Sequence, residues 1–363
     1  MPPRLLLALP QSLFDRASGA AVSMRHLGCL LAQAGWQVQM LCTSATESGL
    51  PGLPLDDEGL GGAALELLTL PAGAGRDWQQ HDGGAFETRA RALLRDFAPD
   101  LLLTFGAGAL EHRLCAAARQ QGCRVLLALH NRAYGQLALP PADALLLPSR
   151  DLQQVYAALP LPALVLPPPM WDSDVQVSGH DPIFATFVNP EPEKGAALVA
   201  RLAARCPDWP FLVVEGRARA GDFAAAARGA GVDPATLSQV RVVPGGRRLR
   251  EVLAVTRVVL MPSQVQEAAG RVAAEALANG IPALVSDRGG LPEMVAGTDG
   301  VLAGDPAQEA TLERWVDALR MLASAAGWAA AAARARQVAP RWRSAAQAPQ
   351  FDRALRALLA PAP

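Results

Sequence analysis

Cysteine is sparse in this chain of 363 residues. The five present, Cys29, Cys42, Cys115, Cys123 and Cys206, form no C-x-x-C pair, which argues against a zinc ribbon and against a disulfide framework. They read as small buried hydrophobes in a reducing compartment. An excess of either charge is also missing, since 33 basic residues stand against 34 acidic ones. No nucleic acid is therefore expected as a partner, and no anionic membrane as the main one. No run approaches the roughly 18 consecutive apolar residues of a membrane span. The "LLLALP" of residues 5–10 follows Arg4 like a short signal core, but no small-residue cleavage site comes after it and an amphipathic segment does, so it reads as a first buried strand. The expected location is cytoplasmic.

What the chain does contain is alternation. Its length exceeds one ordinary core and predicts two domains of roughly 150 to 200 residues. Apolar runs of buried-strand length recur at "LLLALP" (5), "QVQMLCT" (37), "LLLTFG" (101), "VLLALH" (125), "ALLLPS" (144) and "ALVLPPP" (163). Helical patterns such as "AAVSMRHLGCLLAQAG" and "LEHRLCAAARQQG" lie between several of them, the second ending at a glycine suited to a helix C-cap. Prolines and polar residues interrupt the pattern over 167–182, as expected of a linker. A second series then runs through "IFATFVN" (183), "FLVVEG" (211), "QVRVVP" (239), "RVVLMPS" (257) and "PALVSD" (282). Such β-α-β repetition predicts an α/β protein with two Rossmann-like, doubly wound parallel-sheet domains facing across a cleft. The boundaries expected are 1–170, 171–338 and a terminal helix over 339–363. Residues 43–85 carry no assignable periodicity.

Ligands of doubly wound sheets bind beyond the carboxyl ends of the strands. One loop there reads "PSQVQEAAGRVAAEALANGIPALVSDRGGLPEMV", residues 262–295. Gly270 to Asn279 has helical composition with Gly280 as a stop, and a helix N-terminus offers unpaired N–H groups to a phosphate. Glu267 precedes that seat and Glu275 lies about two turns inside it. At about 1.5 Å rise per residue the two carboxylates stand at most about 12 Å apart. An acid and base pair on one glycosidic bond needs roughly 5 to 9.5 Å. The spacing suits an extended ligand instead, a diphosphate flanked by hydroxyl-rich groups, which is the layout of a nucleotide sugar.

The same stretch closely resembles the donor-site signature of glycosyltransferase family 4, the retaining enzymes of the GT-B fold. That pattern reads approximately P-S, E-x-F-G, a helix with E-A, G-x-P-V, S-D, G-G and P-E, and here Ala268 and Ala269 replace the usual pair before Gly270. The resemblance implies a transferase that moves a sugar from a nucleoside-diphosphate donor (UDP- or GDP-sugar) to an acceptor that the sequence does not identify. It implies that Glu267 holds donor-sugar hydroxyls, that Glu275 holds the ribose, and that Gly289 and Gly290 lie under sugar and diphosphate. It also places Ala268, Ala269, Gly270, Arg271 and Val272 in the donor site. In "FVNPEPEKG", Lys194 resembles the family lysine that neutralises the diphosphate, while the arginine usual five positions earlier is Asn189 here. Arg271, Arg217 or the "GGRRLR" group at 245–250 are candidates for the missing cation. His130 matches a histidine that reaches the donor sugar, and Gly19 a glycine loop that approaches the diphosphate. The catalytic set implied is Glu267, His130 and Lys194, and a terminal helix returning to the first domain is typical of the family.

No metal and no cofactor is expected, since Lys194 and helix N-termini carry the phosphate charge in this reading. "GAGALE" at 106–111 mimics G-x-G-x-x-G, but Glu111 replaces the third glycine and sits badly beside a pyrophosphate. "DSD" at 172–174 mimics a D-x-D metal clamp but lies in the linker. Two rival readings follow, a nicotinamide-dependent oxidoreductase and an inactive nucleotide-binding protein of the same fold. Basic residues in "FETRARALLRDF" at 86–97 also allow peripheral contact with a membrane surface.

Overall fold

The computed structural model describes residues 1–46, 59–70, 78–216 and 221–360 of the chain. They form two compact units, one of residues 1–173 with 344–363 and one of residues 174–343. Each unit is a doubly wound parallel sheet.

In the first unit the strands are β1 (Arg4–Ala8), β2 (Gln37–Thr43), β3 (Ala64–Leu68), β4 (Leu101–Thr104), β5 (Arg124–Ala128), β6 (Ala144–Leu147) and β7 (Ala163–Val165). They lie in the order β3-β2-β1-β4-β5-β6-β7, every pair parallel. Leu5, Leu6, Leu7, Leu101, Leu102 and Leu103 are all fully buried, as unbroken apolar runs require of strands covered on both faces. The helices are α1 (Gly19–Gln33), α2 (Trp78–Asp96), α3 (Ala109–Gln120), α4 (Arg150–Val155) and α5 (Asp172–Val175), the last on the boundary between units. Ser18 caps α1 by accepting from the Ala21 amide, and Gly35 at φ +89 turns the chain into β2.

The second unit holds β8 (Phe184–Val188), β9 (Phe211–Val214), β10 (Val240–Val243), β11 (Thr256–Met261), β12 (Ala283–Ser286) and β13 (Val301–Leu302). Their order is β10-β9-β8-β11-β12-β13, again parallel throughout. The connections are α6 (Ala196–Arg205), α7 (Asp222–Gly229), α8 (Leu249–Leu253), α9 (Arg271–Ala278), α10 (Leu291–Met294), α11 (Glu309–Ala323) and α12 (Ala325–Val338). Trp315, Phe187, Phe211 and Leu319 pack in its core. In this order β8 and β11 are neighbours, and the connections that leave them run to opposite sides, β8 to β9 and β11 to β12. That is the switch point at which such sheets bind ligands.

Several sequence expectations change in detail. Two strands were not expected: β3 lies at an edge inside the unassigned 43–85 stretch, and β13 has only two residues. The stretches 47–58 and 71–77 of that region lie outside the described residues. The terminal helix starts later than Ala339. A short 3-10 turn covers Ala339–Trp342, and α13 spans Ser344–Leu359. Phe351 and Leu355 of α13 join the core of the first unit, and Asp352 accepts a 2.6 Å bond from the Trp36 indole.

The segment read as a linker is buried at its start, with Met170 fully enclosed and Trp171 nearly so. An irregular segment can be buried only if its backbone groups find partners. Gln347 on α13 supplies two, accepting from the Met170 amide at 2.7 Å and donating to the Pro168 carbonyl at 3.1 Å. Ser344 donates to the Met170 carbonyl and accepts from the Asp172 amide, and His26 of α1 accepts from the Trp171 amide. Asp172, the first carboxylate of "DSD", caps the Ser344 amide at 3.1 Å.

Candidate functional site

The loops after β8 and β11, the two strands flanking the switch point, are tied together at the backbone. The Gln264 amide donates to the Glu193 carbonyl at 2.8 Å. Gly195 has φ +92, and a Cβ there would stand 2.1 Å from the Pro262 carbonyl oxygen, so only glycine lets the strands approach at this point. The Lys194 ammonium donates to Glu267 Oε1 at 2.7 Å across the same junction, with both side chains mostly buried. Ser263 donates to the same oxygen at 2.7 Å, and its own carbonyl accepts from the Ser286 hydroxyl at 2.7 Å. Glu267 is thus held by a cation and a buried hydroxyl on loops from adjacent strands.

The helix after this loop begins one residue later and ends one residue earlier than expected, with Gly270 as its N-cap. Gly270 is extended at φ 177, so the chain from Glu267 to the helix is not helical and the carboxylate spacing derived from helical rise does not apply. Inside α9, Glu275 accepts a 2.7 Å bond from the Arg271 guanidinium, with only 9% and 11% of the two side chains exposed. Side chains on a helix lean toward its N-terminus, which brings the carboxylate of residue 275 back over residue 271. Ala268, Ala269 and Val272 are half-buried beside them.

The glycine pair after β12 has a local packing role. Gly289 lies at φ +59, and a Cβ there would meet the Glu267 carbonyl oxygen at 2.2 Å. Its amide donates to Gln266 Oε1 at 2.7 Å, and the Gly290 amide to the Glu267 carbonyl at 2.8 Å. Both amides are thus engaged within the protein. These glycines let the β12 loop close on residues 266–267 and fix the backbone that carries Glu267.

Asn189, where the resemblance puts an arginine, has left-handed backbone at φ +63. Asparagine tolerates that region better than other side chains with a Cβ, and its amide nitrogen donates to Glu191 at 2.9 Å. Arg217 lies outside the described residues. Ser263 and Gln266 were missed as site residues, although Ser263 belongs to the P-S pair that opens the signature. Its neighbour Pro262 gave the only cue.

His130 and Gly19 belong to the first unit and are not among the side chains gathered by the second. His130 stands two residues beyond β5, half-buried, with its ring edge-to-face against Phe105 at 5.3 Å. Gly19 is exposed and opens α1. In "GAGALE", Glu111 is buried under the glycine turn: a Cβ on Gly108 would meet its Oε2 at 2.7 Å. A carboxylate therefore fills the place where a dinucleotide's pyrophosphate would need room, and nothing favours the nicotinamide reading. Burial pushes the Glu111 carboxyl above its ordinary range, against hydrogen bonds from its own amide and that of Gly108. Among the described residues no group of three or more His, Cys, Asp or Glu side chains stands together as metal ligands.

Two family models match this chain, the group 1 glycosyl transferases over residues 178–333 and a glycosyl transferase 4-like domain over 18–166. The chain belongs to the group 1, family 4-like glycosyltransferases. Solved structures share the fold of this transferase over nearly its whole length. Sucrose-phosphate synthase from Thermosynechococcus elongatus is 19% identical, with 99% of each chain covered and a TM-score of 0.71. Anabaena HepE, solved in complex with UDP and glucose, is 14% identical over 97% of this transferase and 99% of its own chain, at a TM-score of 0.68. An E. coli protein described as trehalose-6-phosphate bound with UDP-2-fluoro glucose is 13% identical over 99% and 100%, at 0.65. At such identities the likeness establishes the GT-B fold alone. No curated protein sequence matches the transferase.

Proposed function

We propose that this glycosyltransferase is a retaining enzyme that takes its sugar from a nucleoside-diphosphate donor, a UDP- or GDP-sugar, and passes it to an acceptor hydroxyl. The observation that carries the reading is the Lys194–Glu267 pair at the switch point of the second sheet, where ligands of such sheets bind. The UDP complexes of structural neighbours support it.

In this proposal Lys194 meets the diphosphate and stabilises the charge that develops on it as the bond to the sugar breaks. Glu267, fixed by Ser263 and Lys194, accepts hydrogen bonds from donor-sugar hydroxyls, and Glu275 accepts from the ribose. The acceptor hydroxyl attacks from the face the diphosphate leaves, and its proton goes to a departing phosphate oxygen. Glu267 positions the sugar and forms no covalent bond to it. No divalent metal enters the scheme, so EDTA should leave the rate unchanged, and a rate restored only by added Mg²⁺ or Mn²⁺ would contradict it.

Thermal unfolding with UDP, GDP, ADP, TDP and NAD tests the donor class, because a ligand bound only by the native state raises the midpoint. The expected result is a shift with one nucleoside diphosphate that Lys194→Ala abolishes. A shift with NAD alone, or with none of the five, removes the proposal.

A further inference from the structure

The geometry points to Arg271 as a second diphosphate cation, positioned by Glu275 and acting with Lys194. This inference rests on the donor site proposed above and extends it by assigning a residue that determines how that site meets phosphate charge.

Charge accounting is the starting point. A diphosphate joined to a sugar carries about two negative charges, and about three once it departs, because its terminal phosphate then ionises with a pKa near 6. Lys194 is one cation and is bonded to Glu267. One ammonium shared with a carboxylate leaves most of that anionic charge uncompensated in a partly buried site, and uncompensated buried charge is costly.

The fold restricts where more positive charge can come from. Among the described residues the second unit's basic side chains at the carboxyl ends of its strands fall on a few loops. Arg247, Arg248 and Arg250 follow β10, the edge strand two places away from β8. Arg288 follows β12 and stands 3.8 Å from its neighbour Asp287. Arg271 follows β11, the strand beside β8, and lies four residues after Glu267.

Its side chain is also built in. Only 11% of it is exposed, and Glu275, itself 9% exposed, holds the guanidinium at 2.7 Å. An arginine this deep is tolerated because a carboxylate compensates it. The planar fork of a guanidinium matches phosphate oxygens two at a time. Glu275 thereby acquires two tasks, one toward the ribose and one in aiming Arg271. Because the charge on the leaving diphosphate rises during the reaction, a cation at this place acts more strongly on the transition state than on the bound donor.

The test compares Arg271→Gln, Arg271→Lys and Arg288→Gln with the parent, by calorimetric titration with UDP, GDP, UMP and GMP and by turnover with the matching nucleotide sugar. Expected for Arg271→Gln is at least a tenfold loss of affinity for the diphosphate that binds, less than a threefold loss for the monophosphate, and a larger fall in kcat than rise in KM. Arg271→Lys should recover most of the diphosphate affinity, and Arg288→Gln should change little. If Arg271→Gln fails to fold, the comparison moves to the double variant Arg271→Gln/Glu275→Gln against the parent, which removes the pair without stranding a charge, and the diphosphate loss is again read against the monophosphate loss. Equal losses for diphosphate and monophosphate would reduce Arg271 to a support for Glu275, and an unchanged diphosphate affinity, or loss in Arg288→Gln instead, would also overturn the assignment. A parent protein that binds none of the four probes would overturn the donor site itself.

Discussion

Glu267 Oε1 receives two 2.7 Å hydrogen bonds, from the Lys194 ammonium and the Ser263 hydroxyl. Such doubly anchored carboxylates keep their geometry at the expense of freedom, which suits the sugar-positioning role proposed for Glu267. Glu267→Gln retains the shape and an acceptor but loses the charge. It should lower turnover by at least about tenfold while moving the unfolding midpoint by only a few degrees, and an unchanged rate would remove Glu267 from the site. Gly289→Ala should do the reverse in emphasis. The new Cβ meets the Glu267 carbonyl in a left-handed backbone, so a stability loss of about 1–3 kcal/mol is expected by thermal unfolding, with reduced turnover as a secondary effect. Glu111 provides a pH test. Its carboxyl is raised by burial, so the folded state prefers the neutral form. The stability this contributes is fully present below the ordinary carboxyl pKa and is lost as pH rises through the raised value. Glu111→Gln should therefore gain stability relative to the parent as pH increases from about 4 to 7, read as the difference in urea midpoints. The thiols give no comparable handle, since burial pushes Cys115 and Cys123 up to about 12 and Cys42 to about 11.

At the level of elements, legibility follows burial. Runs such as Leu5–Leu7 and Leu101–Leu103 announce central strands because both faces are covered and no polar residue intervenes. Edge strand β3 was silent for the opposite reason: its residues are half-buried or exposed, and Glu66 in its middle pairs with Arg89 of α2. That pair, with Arg91 on Glu87, also commits two of the basic residues that had suggested a membrane-facing surface. The loop proposed to hold the donor was legible as a sequence pattern that contains Glu267 and Glu275. The Arg271–Glu275 and Lys194–Glu267 pairings were not, because the second joins residues 73 positions apart and the first depends on how deeply α9 is set. The boundary at Ser344 was missed because Ala339–Arg343 has helical composition but closes as a 3-10 turn. Gln347 shows what that boundary does. Replacing this fully buried side chain by alanine strands a buried amide and a buried carbonyl, each costing about 1–3 kcal/mol. Gln347→Ala should lower the unfolding transition of the first unit by several degrees, and a shift within error would show that water replaces the lost bonds.

For the molecule as a whole, two units with separate cores predict separable stabilities. Trp315 is 1% exposed in the second core, and its truncation to alanine should cost about 3–5 kcal/mol. Calorimetry of Trp315→Ala and Gln347→Ala should displace different parts of the endotherm, whereas one merged transition moved equally by both would mean that the units unfold together. The chain crosses from one unit to the other twice, near residues 173 and 343. Chains emerge from the ribosome from the N-terminus onward, and domains generally form as units in that order. Here the order is reversed for one of them. The face of α1 against which α13 packs, and the buried Met170 segment that Gln347 satisfies, must wait until the entire second unit has been synthesised. The unit that holds residues 1–173 is thus the later one to be completed, and its apolar helix face stays uncovered in the meantime.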